Sequence, residues 1–250
     1  CTGEKNNQSY AEYQNYTAYN ESKGYVAYTN EQTYHLYNNT LYKINNLSQE
    51  KERINLDGVY SVQQYGSDVY CAQYTDNKNI LCNMTDGTKR IIDETEKIKK
   101  IIVGDGLCCY LIDDNLYFYS FGNNDNVLKT KISERVYDFA VVDHYVFYRE
   151  RTGDITDEGN GPFADISKLS LSSQIEAYDI KTHEYQFIAE TGLQVEIYLT
   201  RLNNGIVFWQ NGEIVYADLN KQQTLITGKL IDFMMTDSQF IYFSDYESNS

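Results

Sequence analysis

A four-residue pattern returns six times along this chain, and its spacing constrains the fold more than any other feature. It reads apolar or aromatic, aromatic, polar, then acid or amide. The copies are Leu36-Tyr37-Asn38-Asn39, Gln73-Tyr74-Thr75-Asp76, Tyr110-Leu111-Ile112-Asp113, Phe147-Tyr148-Arg149-Glu150, Phe208-Trp209-Gln210-Asn211 and Tyr242-Phe243-Ser244-Asp245. Their first residues stand 37, 37, 37, 61 and 34 positions apart. A fixed period of this size is the mark of a repeat architecture, in which each unit buries its core against its neighbours.

Each unit follows one rule. In the second, Val59 to Gln63 reads as strand A, Gly66-Ser67-Asp68 as a turn, and Val69 to Thr75 as strand B. Asn77-Lys78-Asn79 then turns the chain into strand C, Ile80 to Met84, and Thr85-Asp86-Gly87 leads to strand D, Arg90 to Ile92. Gly, Asn and Asp cluster where the chain must reverse, because those residues tolerate turn backbone. The third unit repeats the order. The fourth is legible as Val136 to Val142 and Tyr145 to Arg149, and the fifth as Val195 to Leu202, Ile206 to Trp209 and Ile214 to Tyr216. The sixth shows only Leu230 to Phe233 and Phe240 to Ser244. Twenty-five Tyr and a single Pro suit pleated strands. Four antiparallel strands per unit of roughly 40 residues predict a propeller blade. The expected fold is therefore all-β: a six-bladed β-propeller of four-stranded antiparallel blades. Its last blade is incomplete or closed by the N-terminal segment. Residues 24–250 form the propeller, and 1–23 form a polar, Asn-rich tether and possible closing strand.

The tetrapeptides also carry a resemblance. Gln73-Tyr74-Thr75-Asp76 and Tyr242-Phe243-Ser244-Asp245 resemble the Tyr-Trp-Thr-Asp signature of LDL-receptor-type propellers. Thr85-Asp86-Gly87 resembles the Leu-Asp-Gly turn of that family. Gly24-Tyr25-Val26-Ala27 with Leu41-Tyr42-Lys43-Ile44 is similar to the opening of a bacterial family of unknown function described as LDL-receptor-related-protein-like propellers. On this resemblance Tyr74, Asp76, Asp113, Tyr148, Trp209, Tyr242 and Asp245 are the signature positions. It implies six blades, a secreted or anchored protein, and no catalytic residues. The opening Cys1-Thr2-Gly3 and the polar run after it look like a processed bacterial lipoprotein. Cys1 is then the lipid anchor, and the location is the extracellular face of the bacterial cell membrane.

The charge of −15 sets the partners. Such a surface repels phosphate backbones, so nucleic acid is not expected, and contact with a membrane is expected only through the lipid anchor. Four more cysteines follow Cys1. Cys71 and Cys82 flank a turn and face each other across a hairpin. A bridge is chemically open outside the cytosol, but packed thiols are the favoured reading.

No catalytic motif is present. His35, His144 and His183 lie in different units, and no Gly-x-Ser-x-Gly, His-Glu-x-x-His or phosphate loop occurs. The expected function is an extracytoplasmic, lipid-anchored binding or scaffolding module without catalytic activity, cofactor or metal, for an unknown protein or glycan of the cell envelope. The alternative is a propeller enzyme that cleaves polysaccharide with paired carboxylates.

Antiparallel strands place the D-to-A connections and the B-to-C loops on one face. Asp57, Asp93, Glu94, Glu134 and Glu190 were assigned to those connections. The one large insertion, about Thr152 to Ser172, is a B-to-C loop that adds Asp154, Asp157 and Glu158. Long loops on a repeat scaffold tend to carry binding. The expected site is thus an anionic platform for a cationic partner, with a cation possible.

Overall fold

The computed structural model describes residues 25–104, 106–121, 128–152, 173–191, 199–210, 212–228, 231–236 and 240–245. The described residues form strands and turns only. Five four-stranded antiparallel sheets follow one another, each in simple chain order. They are β1 (Val26–Tyr28), β2 (Gln32–Tyr37), β3 (Thr40–Asn45) and β4 (Lys51–Ile54); then β5 (Val59–Tyr65), β6 (Asp68–Thr75), β7 (Lys78–Asn83) and β8 (Lys89–Asp93). The third has β9 (Lys100–Gly104), β10 (Leu107–Ile112), β11 (Asn115–Ser120) and β12 (Leu128–Ser133). The fourth has β13 (Val136–Val142), β14 (Tyr145–Arg151), β15 (Ser173–Asp179) and β16 (Tyr185–Thr191). The fifth has β17 (Thr200–Leu202), β18 (Gly205–Gln210), β19 (Glu213–Ala217) and β20 (Gln222–Thr227). A two-stranded sheet of β21 (Ile231–Thr236) and β22 (Ile241–Asp245) ends the series, so the described residues hold five four-stranded sheets and one two-stranded sheet.

The repeat has a structural meaning. The first tetrapeptide position is buried in five sheets: Leu36, Gln73, Tyr110, Phe147 and Phe208 are at most 5% exposed. The fourth position lies in the B-to-C turn of the first three sheets, opening it in the second and third and closing it in the first. Asn38 and Asn39 have φ of 48° and 56°, Asp76 and Asn77 have 50° and 59°, and Asp113 and Asp114 have 46° and 60°. Two successive residues with positive φ make the turn whose twist matches that of a hairpin, and Asn and Asp enter that region most readily. The signature acids Asp76 and Asp113 are therefore turn residues. Glu150 departs from the rule: it stays in β14, paired with Gln174, because the insertion replaces the tight turn.

A second regularity lies below the sequence pattern. Strand A is bulged after its first residue in β5 and β13, leaving Tyr60 and Tyr137 as the extra residues. Strand D is bulged in β8, β16 and β20, at Ile92, Ile188 and Leu225. Each bulge adds one residue and increases the local twist. Before the bulge of β5, Gly58 takes φ +69°, and a Cβ there would stand 2.2 Å from the Tyr74 carbonyl oxygen. Only glycine fits.

The described residues pack as two compact units, the first built mainly on those from Tyr25 to Asp113 with Phe118–Phe121, the second mainly on those from Thr130 to Met235. In the first, Ala27, Leu36, Leu41, Val59, Val62, Val69 and Cys71 close one core between the first two sheets. Adjacent glutamines on β5 tie it to both neighbours. Gln64 accepts the Tyr28 N–H at 3.3 Å, while Gln63 donates to the Ile101 carbonyl and accepts the Val103 N–H at 3.0 Å. In the second unit, Ala140, Phe147, Ile175, Leu199, Ile206, Phe208 and Val215 form the core between the fourth and fifth sheets. There the Asp138 carboxylate accepts the Leu199 N–H at 2.9 Å.

Three strands escape the sequence reading: β15, β16 and β20. The A strand of the fifth blade, expected over 195–202, is described only as Thr200–Leu202, with residues 192–198 outside the described set. Cys71 and Cys82 do face each other across β6 and β7, as free buried thiols. The Cys82 thiol donates to the Gln73 side-chain oxygen at 3.0 Å.

Candidate binding groove

Three acids of the expected platform, Asp93, Glu94 and Glu134, pair with lysines. Asp57 is exposed on the connection before β5, and its carbonyl accepts the Gln73 side-chain amide at 2.9 Å. Asp93 is the last residue of β8 and is only 4% exposed. Its carboxylate receives Lys129 Nζ at 2.5 Å, the Tyr110 hydroxyl at 3.0 Å, and both the hydroxyl and N–H of Thr95. Burial pushes this carboxyl up, but the hydrogen bonds from Lys129, Thr95 and Tyr110 outweigh it and hold it below the usual range. Glu94 is exposed and pairs with Lys78 at 3.2 Å. Glu134 is exposed and pairs with Lys131. Glu190 lies inside β16 rather than on a connection, because that strand runs on to Thr191. Asp154, Asp157 and Glu158 lie outside the described residues, as does Cys1. Among the described residues no group of three or more His, Cys, Asp or Glu side chains is placed to hold a metal.

The signature residues serve packing as well as turns. Tyr148 is buried and donates to Glu176 at 2.6 Å, Trp209 packs on Leu202, Val207 and Ile214, and the Tyr74 hydroxyl reaches the Thr95 carbonyl at 3.3 Å. Tyr242 is exposed on β22, which Asp245 ends. Glu150 and Glu176 are brought together on β14 and β15. Both accept the Gln174 amide, at 3.0 and 2.8 Å, while Ser133 donates to Glu150. This pair is held in a hydrogen-bonded network across strands.

The concavity that stands open lies elsewhere on the connection face. In the first unit, a groove of about 690 Å³ is lined by Tyr25, His35, Leu36, Tyr37, Asn38, Asn39, Tyr60, Lys97, Ile98 and Lys99. Its volume falls in the range of ligand sites. Four pieces of chain build it: Tyr25 at the entry to β1, the end of β2 with its turn, the bulge of β5, and the connection between β8 and β9. Tyr25 and Tyr37 are 49% and 59% exposed, and the rings of His35 and Tyr37 lie 6.1 Å apart. Lys97 Nζ stands 5.4 Å from the Tyr60 ring centroid. Burial, reinforced by nearby Cys108, Cys71 and Asp93, pushes the Tyr60 phenol far up, so it stays neutral.

A buried residue holds the lysine-bearing connection in place. Asn79 is 0% exposed on β7. Its amide donates to the Glu96 carbonyl at 2.8 Å, and its side-chain oxygen accepts the Ile98 N–H at 3.1 Å and the Tyr60 hydroxyl at 3.4 Å. One side chain thus pins both sides of Lys97. None of the groove residues was singled out from the sequence as a site. The signal available was that Tyr37, Asn38 and Asn39 occupy a repeat position on the expected binding face.

No protein-family model matches this chain, and no curated protein matches it either. Solved structures do. The β-propeller domain of the trilobed protease from Pyrococcus furiosus, described as having an open velcro topology, matches with TM-score 0.60 and 8% identity. It covers 90% of this chain and 80% of that one. Hsv2 of Kluyveromyces lactis matches with TM-score 0.51 and 11% identity, covering 86% and 67%. The N-terminal domain of Nup159 matches with TM-score 0.51 and 13% identity, covering 91% and 62%. At such identities the likeness is one of fold alone: the all-β, repeated four-stranded sheets of this chain are those of a β-propeller domain.

Proposed function

We propose that this chain is a noncatalytic binding module that takes its partner, a protein or glycan of the cell envelope, in the groove on its connection face. A lipidated Cys1 would hold it outside the cytoplasm, with residues 2–23 as spacer. The observation that supports the binding role is the groove itself. It is an open concavity with two half-exposed tyrosines and two lysines, on a connection fixed from beneath by Asn79. Preorganised surfaces lose less freedom on binding. The propeller fold supports the same reading, since it presents turns and connections on a rigid frame.

The test is capture from a cell-envelope extract by wild type and by a Tyr37→Ala/Lys97→Gln variant, both tethered through an engineered C-terminal tag. Loss of the captured species in the variant is expected. Equal capture would move the binding surface away from this groove. For the anchor, Cys1→Ser in the full precursor should release the protein into the medium.

On the same reading β21 and β22 begin a sixth blade that residues within 1–23 complete. The Pyrococcus furiosus domain is described as open, so closure here would be a difference between the two. Removing residues 1–20 should then lower the melting temperature by several degrees, because a sheet edge loses its partner.

A further inference from the structure

The charge of the groove runs against that of the chain. The whole sequence holds 36 Asp and Glu against 21 Lys and Arg, yet the ten lining residues include two lysines and no carboxylate. Both lysines sit on the connection that Asn79 clamps; of the exposed acids on that connection, Glu96 is outside the groove lining and Glu94 is paired with Lys78. A short anion that enters the groove meets positive charge, while a long polyanion must also lie along the acidic surface around it. Nucleic acid therefore fits poorly.

The opposite wall is aromatic and carboxamide. Tyr25 and Tyr37 offer exposed ring faces. Asn38 and Asn39 follow directly, in a turn that fixes their backbone with φ of 48° and 56°. Ring faces pack on the C–H surface of a sugar, and carboxamides serve as paired donor and acceptor for vicinal hydroxyls. A peptide would have less to use. Extended peptides gain affinity from main-chain pairing at an open sheet edge. Tyr37 ends β2, which already lies between β1 and β3 and is paired with both.

From these observations we infer that the groove is a site for an acidic oligosaccharide, with a sugar ring stacked on Tyr37 and Tyr25 and its carboxylate or sulfate directed at Lys97 and Lys99. This rests on the reading of the groove as the module's binding site. The chemistry has a division of labour: the rings supply contact area, the amides read hydroxyls, and the lysines select for charge. Only the last of these is screened by salt.

The experiment is titration calorimetry of the purified chain at low salt with trigalacturonate, a hyaluronan tetrasaccharide and a chondroitin sulfate tetrasaccharide. Maltotriose and pentaglutamate serve as the neutral and the peptide probes. At least one acidic sugar should bind, tenfold or more tighter than maltotriose, with affinity falling as salt is raised. Tyr37→Ala and Lys97→Gln/Lys99→Gln should each weaken it tenfold or more with unchanged melting temperature. The inference is overturned if no acidic sugar binds, if maltotriose binds as well, if pentaglutamate binds more tightly, or if the variants bind as wild type. Should the variant lose envelope capture while no acidic sugar binds, the binding role of the groove stands and the sugar assignment falls. Should sugar binding behave as expected while envelope capture is unaffected, the sugar site stands and the capture surface lies elsewhere.

Discussion

Replacing Asn79 by Ala tests the clamp under the groove and leaves the identity of every wall residue unchanged. The substitution removes the bond to the Glu96 carbonyl and the bond from the Ile98 N–H, and with them the long Tyr60 hydroxyl contact at 3.4 Å. The two losses differ. Glu96 is exposed, so water replaces Asn79 at its carbonyl, and the cost there is a net hydrogen bond of about 1 kcal/mol. Ile98 is 2% exposed, so its N–H is left buried, at about 1–3 kcal/mol. The sum is about 2–4 kcal/mol. For a chain of this size it corresponds to a fall in melting temperature of about 5–15 °C. Urea melts give the total, and amide hydrogen exchange gives the location. The Ile98 amide should exchange faster by far, whereas the Tyr74 amide, which donates to the Gly58 carbonyl at 2.9 Å, should change only with global stability. Ligand affinity at the groove should drop as well, because Lys97 loses its fixed position although Asn79 is out of reach of any ligand. If stability falls while Ile98 exchange keeps pace with Tyr74, the loss comes from a cavity, and the clamp reasoning is refuted.

Gly58→Ala should destabilise by about 1–3 kcal/mol from backbone strain alone, and by more once the contact with the Tyr74 carbonyl is relieved by movement of β5, read as a lowered urea midpoint. Asp93→Asn should cost about 1.5–3 kcal/mol at pH 7, where the carboxylate accepts charge-assisted bonds. Because the folded-state pKa of Asp93 is depressed, its contribution is present above about pH 4 and lost as pH falls through the folded value, so the gap between wild type and variant in urea melts should close as pH falls below that value. Cys71, Cys82, Cys108 and Cys109 are at most 3% exposed, and burial raises each thiol pKa. All four should resist a thiol reagent at pH 8 in the native protein and react together in urea; two missing equivalents would mean a Cys71–Cys82 bridge.

The period was legible because one structural device recurs at one place. A buried residue followed by a turn with two positive φ values needs the same residue types each time, so Leu36, Gln73, Tyr110, Phe147 and Phe208 could be aligned by eye. The outer strands resist that treatment. In β16 and β20 the bulges at Ile188 and Leu225 shift the register partway along, so inward and outward positions exchange phase within six or seven residues. Alternation is the signal a strand gives in sequence, and a bulge erases it. In β20, Gln222, Gln223 and Thr224 are exposed as well, leaving little apolar content to find. In the fourth blade the insertion moved β15 and β16 away from their expected offsets.

Net charge says little about local electrostatics for a related reason: a sum over the chain carries no positions. The acids at the connections invited the picture of a negative platform, yet Asp93, Glu94 and Glu134 each face a lysine. For Asp93 that lysine stands 36 residues away, on the outer strand of the next blade. No spacing rule reveals such a pair, because it forms only when neighbouring sheets pack. The groove assembles in the same way, from residues 25, 35–39, 60 and 97–99, contributed by four pieces of chain. Asn79 carries the logic furthest. In sequence it is one more Asn in a turn-rich stretch, while in the fold it is fully buried and organises a loop 17 to 19 residues later. A buried Asn must satisfy its amide, and here the partners are the backbone on either side of Lys97. The cation in the groove is therefore placed by a hydrogen-bonding requirement in the blade beneath it.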